Sequence, residues 1–244
     1  MKQTLGNAQT GIMRTQVIIS IIIPAFNEAA TIEQFLKSVR ERAKSVEIIV
    51  VDGGSSDGTF ELAQNRCDQC LRSARGRALQ MNTGAAAASG DIFWFLHADT
   101  EVPADCVQRI YDALRDPEVA GGFFRIRIPS RRFVYRLTDS FAHHAGLLLR
   151  MRFGDHGFFC RRAVFREIGG FPELPLMEDA EFFRKLRQRG RTAIILSRLI
   201  SSPRRYEQIG PWPLTLTYGI IALLYFLHVP NPILARIYRK TCAR

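Results

Sequence analysis

VIISIIIPAFNE at residues 17–28 and EIIVVDGGSSDGT at residues 47–59 decide how this chain reads. Each opens as a run of β-branched and aliphatic residues without polar alternation, the pattern of a strand buried on both faces of a parallel sheet. Each then stops at polar and turn-forming residues. Between them, Glu28–Arg42 sets Ile32, Leu36 and Val39 at helical spacing with charges in between. A helix follows from Asp57 to about Arg66, and Arg77–Ser89 is Ala-rich and helical by propensity. Asp91–Leu96 (DIFWFL) is a third apolar strand that runs into His97-Ala98-Asp99. This alternation predicts an α/β fold: an open, mostly parallel sheet flanked by helices, with ligands at the carboxyl ends of its strands.

The pattern changes after Asp116. GGFFRIRI at residues 121–128 alternates, with Arg125 and Arg127 on one face, and reads as an antiparallel or edge strand. Val134–Arg152 reads as a helix, Phe158–Arg161 as a short strand and Arg162–Gly169 as a short helix. Glu178–Arg189 is a helix with acids at its start and bases at its end, which suits the macrodipole. Ala193–Leu196 reads as the last strand. Pro211–Val229 and Pro232–Arg239 form a helical hairpin broken at Pro230-Asn231-Pro232. The expected division is a flexible segment over 1–16, one α/β domain over 17–207 and a hydrophobic, basic helical segment over 208–244.

Composition narrows the function classes. The chain has 244 residues, 47% of them hydrophobic and 17 of them Phe, enough for one sizeable core and too apolar for disorder. The polar start, and the absence of a small-residue cleavage site after 17–23, argue against a secretory leader. Five thinly spread Cys suit a reducing, cytoplasmic setting. The Cys67–Cys70 pair has zinc or redox spacing, but no second pair accompanies it, and a strand after a helix accounts for both. The net charge of +11 invites a nucleic-acid reading until its position is considered. Residues 1–183 carry 22 basic and 22 acidic side chains, whereas 184–244 carry 12 basic side chains and the single acid Glu207. The excess flanks the uncharged stretch 208–235, which points to an anionic membrane surface and not to a nucleic-acid groove. No zinc finger, helix-turn-helix or RNA-binding aromatic pair accompanies it.

Four acidic clusters fall where strands end or a late helix begins: Asn27-Glu28, Asp52 to Asp57, His97 to Asp99, and Glu178-Asp179. Singly, each has a plain structural account as a helix cap or a complement to a helix dipole. Together they mark one ligand site. In combination, IIIPAFNE (21–28), IIVVDGGSSDGT (48–59), FLHAD (95–99) and MED (177–179) resemble inverting family 2 glycosyltransferases of GT-A fold, over roughly Val17 to Arg205. RGRALQMNTGA (75–85), GDHGFF (154–159) and PLMEDAEFFRKL (175–186) further resemble the radical-SAM/selenodomain-associated transferase 2 subgroup.

The resemblance implies a nucleotide-sugar donor whose base and ribose lie against Pro24, Ala25, Phe26 and Glu28. Asp52 would accept a hydrogen bond from the base, and Asp57 would assist it or cap its helix. Arg75, Arg77, Asn82, Ala98 and Arg205 fall on the donor side, with the guanidinium groups suited to the diphosphate. Asp99 is the expected ligand of a divalent metal, Mn²⁺ or Mg²⁺. His97 replaces the first acid of the usual Asp-X-Asp; it is either an ordinary strand-end His or a ligand that tilts the preference towards Mn²⁺. Asp179 is the candidate general base, with Glu178 orienting the loop or the acceptor. Asp155 and His156 form an acceptor wall or a plain turn.

A Gln-X-X-Arg-Trp element is missing, and Ser202-Pro203-Arg204-Arg205-Tyr206 stands in its place, which argues for transfer of a single sugar to a small or lipid-like acceptor. A nucleotidyltransferase and a catalytically weak nucleotide-sugar-binding or membrane scaffold are the competing classes. Trp212–Val229 is uncharged but too polar and broken for a clean span, so a hairpin lying on the inner face of the membrane is expected. Packing on the domain and homodimer formation are its alternatives.

Overall fold

The computed structural model describes residues 17–129 and 156–242. Residues 1–16, the helix expected over 134–152 and the acceptor candidate Asp155 lie outside them. The chain runs β1 (Ile19–Ala25), α1 (Ile32–Arg42), β2 (Glu47–Asp52), α2 (Thr59–Gln64), β3 (Gln69–Arg72), α3 (Arg77–Ala87) and β4 (Ile92–Phe95). It continues through β5 (Thr100–Glu101), α4 (Cys106–Ala113), β6 (Val119–Arg127), β7 (Phe159–Arg161), α5 (Arg162–Glu167), α6 (Glu178–Arg189) and β8 (Arg191–Ser201). Three helices close it: α7 (Arg204–Ile209), α8 (Pro211–Phe226) and α9 (Asn231–Cys242).

Among the described residues the strands form one sheet in the order β3-β2-β1-β4-β7-β6-β8-β5. The first half is parallel, β1 pairing with β2 and β4, and β2 with β3. As the apolar runs require, β1, β2 and β4 are buried almost throughout, and successive residues face opposite layers. Ile21, Ile23, Val50 and Trp94 pack with Ile32, Leu36 and Val39 of α1 on one side. Ile22, Val51, Phe93 and Phe95 meet α3 and α6 on the other. There Phe95, Phe165, Phe171 and Phe182 form an aromatic cluster, with Phe171 and Phe182 stacked at 4.0 Å between centroids. That cluster seats the helix whose first residues are Glu178 and Asp179.

Of the two readings of β6, the antiparallel one holds at Gly121 and Gly122, where it pairs with β7, but the strand is internal and not an edge, since it also runs parallel to β8 along its length. The Arg125/Arg127 alternation covers the stretch beyond β7, where no second strand pairs with β6 among the described residues. The other strand, β8, differs in length. β8 continues past Leu196 to Ser201, because Leu196 and Ser197 form a bulge between the Phe124–Ile195 and Arg125–Arg198 pairs. Leu196 points outward, 72% exposed. The bulge imitates a strand end in the sequence.

Gly121 is required by a close approach. A Cβ there would lie 2.3 Å from the Phe159 carbonyl oxygen and 3.0 Å from the Cys160 Cα, backbone atoms that cannot rotate aside. Gly121→Ala is therefore expected to destabilise the fold by about 1–3 kcal/mol. The check is the urea unfolding midpoint with the slope unchanged.

Candidate active site

The carboxyl ends of β1, β2 and β4 converge. Ala25 is in register with Asp52, and Ile22 with Phe95, so the turns carrying Pro24–Glu28, Asp52–Asp57 and His97–Asp99 leave the same edge of the sheet. Gln80, buried in α3, ties the first two together by donating from Nε2 to the carbonyls of Ala25 (2.9 Å) and Val51 (2.8 Å). The sequence reading does not single out Gln80. The signal available was its place one helical turn before Gly84, on the small-residue face that packs on Ile22 and Val51.

Asp52 is fully buried. Its Oδ2 accepts from the backbone N–H groups of Gly54 and Ser55, each at 3.0 Å. Among the described residues its Oδ1 is buried without a hydrogen-bond partner. Buried carboxylate oxygens in native folds normally have one, from protein, ordered water or a bound group. Around it, Asn27 adopts a positive φ of 53°, donates its N–H to Ser55 Oγ and accepts from the Ser56 N–H through its side chain. Strain at such a turn is a mark of functional sites.

Asp57 has the structural role. Its carboxylate accepts from the Thr59 hydroxyl and N–H and from the Ala29 N–H, while Thr59 Oγ1 in turn accepts from the Glu28 N–H. The Thr59 hydroxyl holds the Asp57 carboxyl below the ordinary value. The two turns are thus knotted together.

Arg75 stacks its guanidinium 4.0 Å above the centre of the Phe26 ring, so both remain at the strand-end pocket. The Asn82 amide accepts from the Phe171 N–H and donates to the Phe171 carbonyl, which fixes the loop after α5. Arg77 reaches the acid pair: Nε and Nη2 lie 2.6 Å from Glu178 Oε1, with Nη2 4.0 Å from Asp179 Oδ2. Glu178 and Asp179 are both buried at the start of α6, just after Met177, a non-glycine residue in the left-handed region with φ 63°.

Ala98 is buried between the half-buried His97 and Asp99. His156 donates from Nδ1 to the Phe124 carbonyl at 3.0 Å and meets Phe123 edge-on, so this ring is oriented by β6. Among the described residues, no group of three or more His, Cys, Asp and Glu is arranged to hold a metal unaided.

The glycosyl transferase family 2 model matches residues 20–169, more than half of the chain. The chain belongs to that family. It is 27% identical over 173 residues to glycosyltransferase AglE of Haloferax volcanii, covering 65% of this chain and 57% of that protein. It is 36% identical over 115 residues to an uncharacterised glycosyltransferase of Mycobacterium tuberculosis, with 42% of each covered. The chain thus spans about half the length of these relatives. Its fold is that of the nucleotide-sugar transferases called GT-A. Mannosyltransferase PcManGT of Pyrobaculum calidifontis, solved with GDP-Man and Mn²⁺, superposes at a TM-score of 0.64 with 21% identity, over 90% of this chain and 69% of that one. Glucosyl-3-phosphoglycerate synthase of Mycobacterium tuberculosis, solved with Mn²⁺ and UDP, superposes at 0.61 with 21% identity over 88% and 82%.

In this family 2 chain the C-terminal hairpin is packed on the acid-bearing helix. Met177 and Ala180 share a small core with Ile221 and Leu234, and Asn231 exchanges hydrogen bonds with the Leu176 backbone. The Tyr225 hydroxyl donates to Glu181. Upstream of the hairpin, Arg204 grips Glu28 with two nitrogens at 2.9 and 3.0 Å, and the Glu28 hydrogen bond raises its pKa. Arg204 is thus the arginine that reaches the turn after β1, while Arg205 donates to the Tyr218 hydroxyl at 3.3 Å.

The Glu181 contact predicts a pH dependence. Burial pushes its carboxyl up, but hydrogen bonds from Tyr225 and Arg184 outweigh burial and hold it below the ordinary value. A depressed folded pKa adds stability above the unfolded value of about 4.3, lost as pH falls through the folded pKa. Tyr225→Phe should thus be less stable than wild type near neutrality, with the gap narrowing towards about pH 3. Urea midpoints measured across that range check it.

Proposed function

We propose that this protein is a metal-dependent inverting glycosyltransferase that moves one sugar from a nucleotide diphosphate donor to a small or lipid-like acceptor at a membrane face. The observation that carries the donor reading is the buried, unpartnered Oδ1 of Asp52 beside Ala25 and Phe26. A base N–H supplies the donor this oxygen lacks. The base then lies against the Pro24–Phe26 turn, walled by the Phe26–Arg75 stack.

Asp99 and His97 offer a hard oxygen and an imidazole nitrogen, and no third protein ligand stands with them among the described residues. This donor set suits Mn²⁺ or Mg²⁺ bound chiefly through substrate phosphates, with one or two protein ligands. When bound there, the cation would offset negative charge on the departing nucleoside diphosphate. Asp179 takes the proton of the acceptor hydroxyl as that oxygen attacks the anomeric carbon opposite the diphosphate. Glu178 holds Arg77 beside Asp179, at the rim where the acceptor would enter.

The membrane reading rests on α8. This helix carries no charge, and of its side chains Leu214, Thr217 and Ile221 are buried. Trp212 (63% exposed), Leu216 (66%), Ile220, Leu223 and Leu227 form a stripe on its other side. Basic residues flank that stripe at 204–205 and 236–240, which matches an anionic bilayer surface. No helix among the described residues is long and apolar enough to cross a membrane, so the stripe would lie in the interface.

Two experiments test this. A nucleoside diphosphate should raise the melting temperature more with Mn²⁺ than with chelator, and Asp99→Ala should remove the difference. Asp52→Ala should weaken nucleotide binding by about tenfold or more, and Asp179→Asn should cut transfer by roughly 10²-fold with nucleotide affinity kept. Nucleotide binding indifferent to Asp52→Ala would refute the donor reading. For the membrane, a chain cut near Gly210 would uncover Met177 and Ala180, so surface substitution is the cleaner test. Leu216→Glu with Leu223→Glu should abolish sedimentation with anionic vesicles while leaving nucleotide binding intact. A dimer that these substitutions dissolve, with no vesicle binding by wild type, would assign the stripe to self-association.

A further inference from the structure

Cys67 and Cys70 bracket the bend that leads from α2 into β3. Both are half-buried and pack against the core layer that holds Ile48, Val50 and Ala63. The Cys67 thiol donates to the Gln69 carbonyl at 3.1 Å, which turns its sulfur back along the chain towards Cys70. Cys70 pairs with Val50 in the β2–β3 register, and its sulfur lies 3.8 Å from the Phe60 carbonyl of α2. The two thiols are in hydrogen-bond contact with one another, a contact that the sequence spacing allowed but did not require. That contact makes the pair unequal. The Cys70 thiol holds Cys67 below the ordinary thiol value, while Cys67 and burial push Cys70 up. Cys67 is thus the readier thiolate, and Cys70 keeps its proton. Cys106 and Cys160 are buried instead, and burial pushes both thiols up, Cys106 to about 11.

We infer that Cys67 and Cys70 form a reversible thiol-oxidation site, which a low-molecular-weight disulfide converts to an intramolecular disulfide. The Cys67 thiolate attacks one sulfur of the small disulfide, whose S–S bond breaks, and the released thiolate takes up the proton that Cys67 gave to solvent. Cys70 then attacks the Cys67 sulfur of the mixed disulfide, and its own proton goes to the second departing thiol. Two protein thiols are oxidised by two electrons, and one small disulfide is reduced to two thiols. Because the protein sulfurs already touch, closure needs side-chain rotation and no refolding. The bridge would tie the bend that enters β3, an edge strand of the sheet whose Arg72 is in register with Asp52.

The test uses the full chain with oxidised glutathione as the probe, followed by alkylation in urea and digestion with trypsin. Arg66 and Arg72 release residues 67–72 as one peptide that carries both cysteines. The expected product is that peptide unalkylated and lighter by two hydrogens, restored by dithiothreitol, with Cys106 and Cys160 recovered alkylated. At a fixed ratio of reduced to oxidised glutathione, the bridged fraction should be higher in the folded chain than in urea. Cys70→Ser should trap glutathione on Cys67, and Cys67→Ser should slow its attachment to Cys70 by about tenfold or more. Circular dichroism checks that both variants keep the wild-type fold. An unbridged wild-type peptide in excess oxidised glutathione, or a bridge to another cysteine, would overturn the proposal. So would a bridged fraction no higher in the folded chain than in urea, which would assign the bridge to spacing alone. Nucleotide takes no part in this reaction, so its outcome and that of the transferase reading are separate.

Discussion

The parallel pairing of β1 between β2 and β4 imposes the arrangement of everything else. Helices cover both faces of these strands, and a polar side chain within them would lose its water on either side. Their polar residues are therefore concentrated where the strands end, and parallel pairing brings those ends to one edge. Asp52, Asn27, Glu28, His97 and Asp99 are neighbours because Ile, Val, Phe and Trp fill the preceding positions. Gln80 completes the constraint, spending its buried amide on the Ala25 and Val51 carbonyls near the ends of β1 and β2.

The opposite wall of the site arises from a different force. No hydrogen-bonded ladder places Glu178 and Asp179; the aromatic cluster does, by seating Phe182 against Phe95 and Phe171. Arg77, leading α3, then bridges to α6 and closes the gap between the two walls. The same helix receives the hairpin through Met177, Ala180 and Glu181, so the acid pair, the hairpin and its exposed apolar stripe form one connected unit. The exposed stripe and the position of Asp179 are mechanically linked in this way.

The α/β class, the helices α1, α3 and α6, the hairpin and the strand-end location of the site are all legible in the chain. Each depends on local signals: apolar runs, helical spacing, turn residues and proline breaks. Legibility fails where a neighbour in space decides. The choice between antiparallel and edge stays open for β6 because its Arg alternation lies beyond its pairing with β7, and β8 reads short because its bulge looks like an end. Asn82, Arg77 and Asp57 look like ligand groups by type, but backbone and acidic partners far away in sequence take up their hydrogen bonds.

What the sequence determined on its own is therefore the family and the set of polar residues at the strand ends, since both follow from the order of buried and turn-forming residues along the chain. Only the tertiary structure decided which of those residues keep an unmet valence. Asp52 Oδ1 is left without a donor, Glu28 is given to Arg204, and Glu178 is given to Arg77. The physical reason is that a hydrogen bond or ion pair needs its partner within a few ångströms, and for these groups the partner, or its absence, comes from folding segments up to 176 residues apart onto one another.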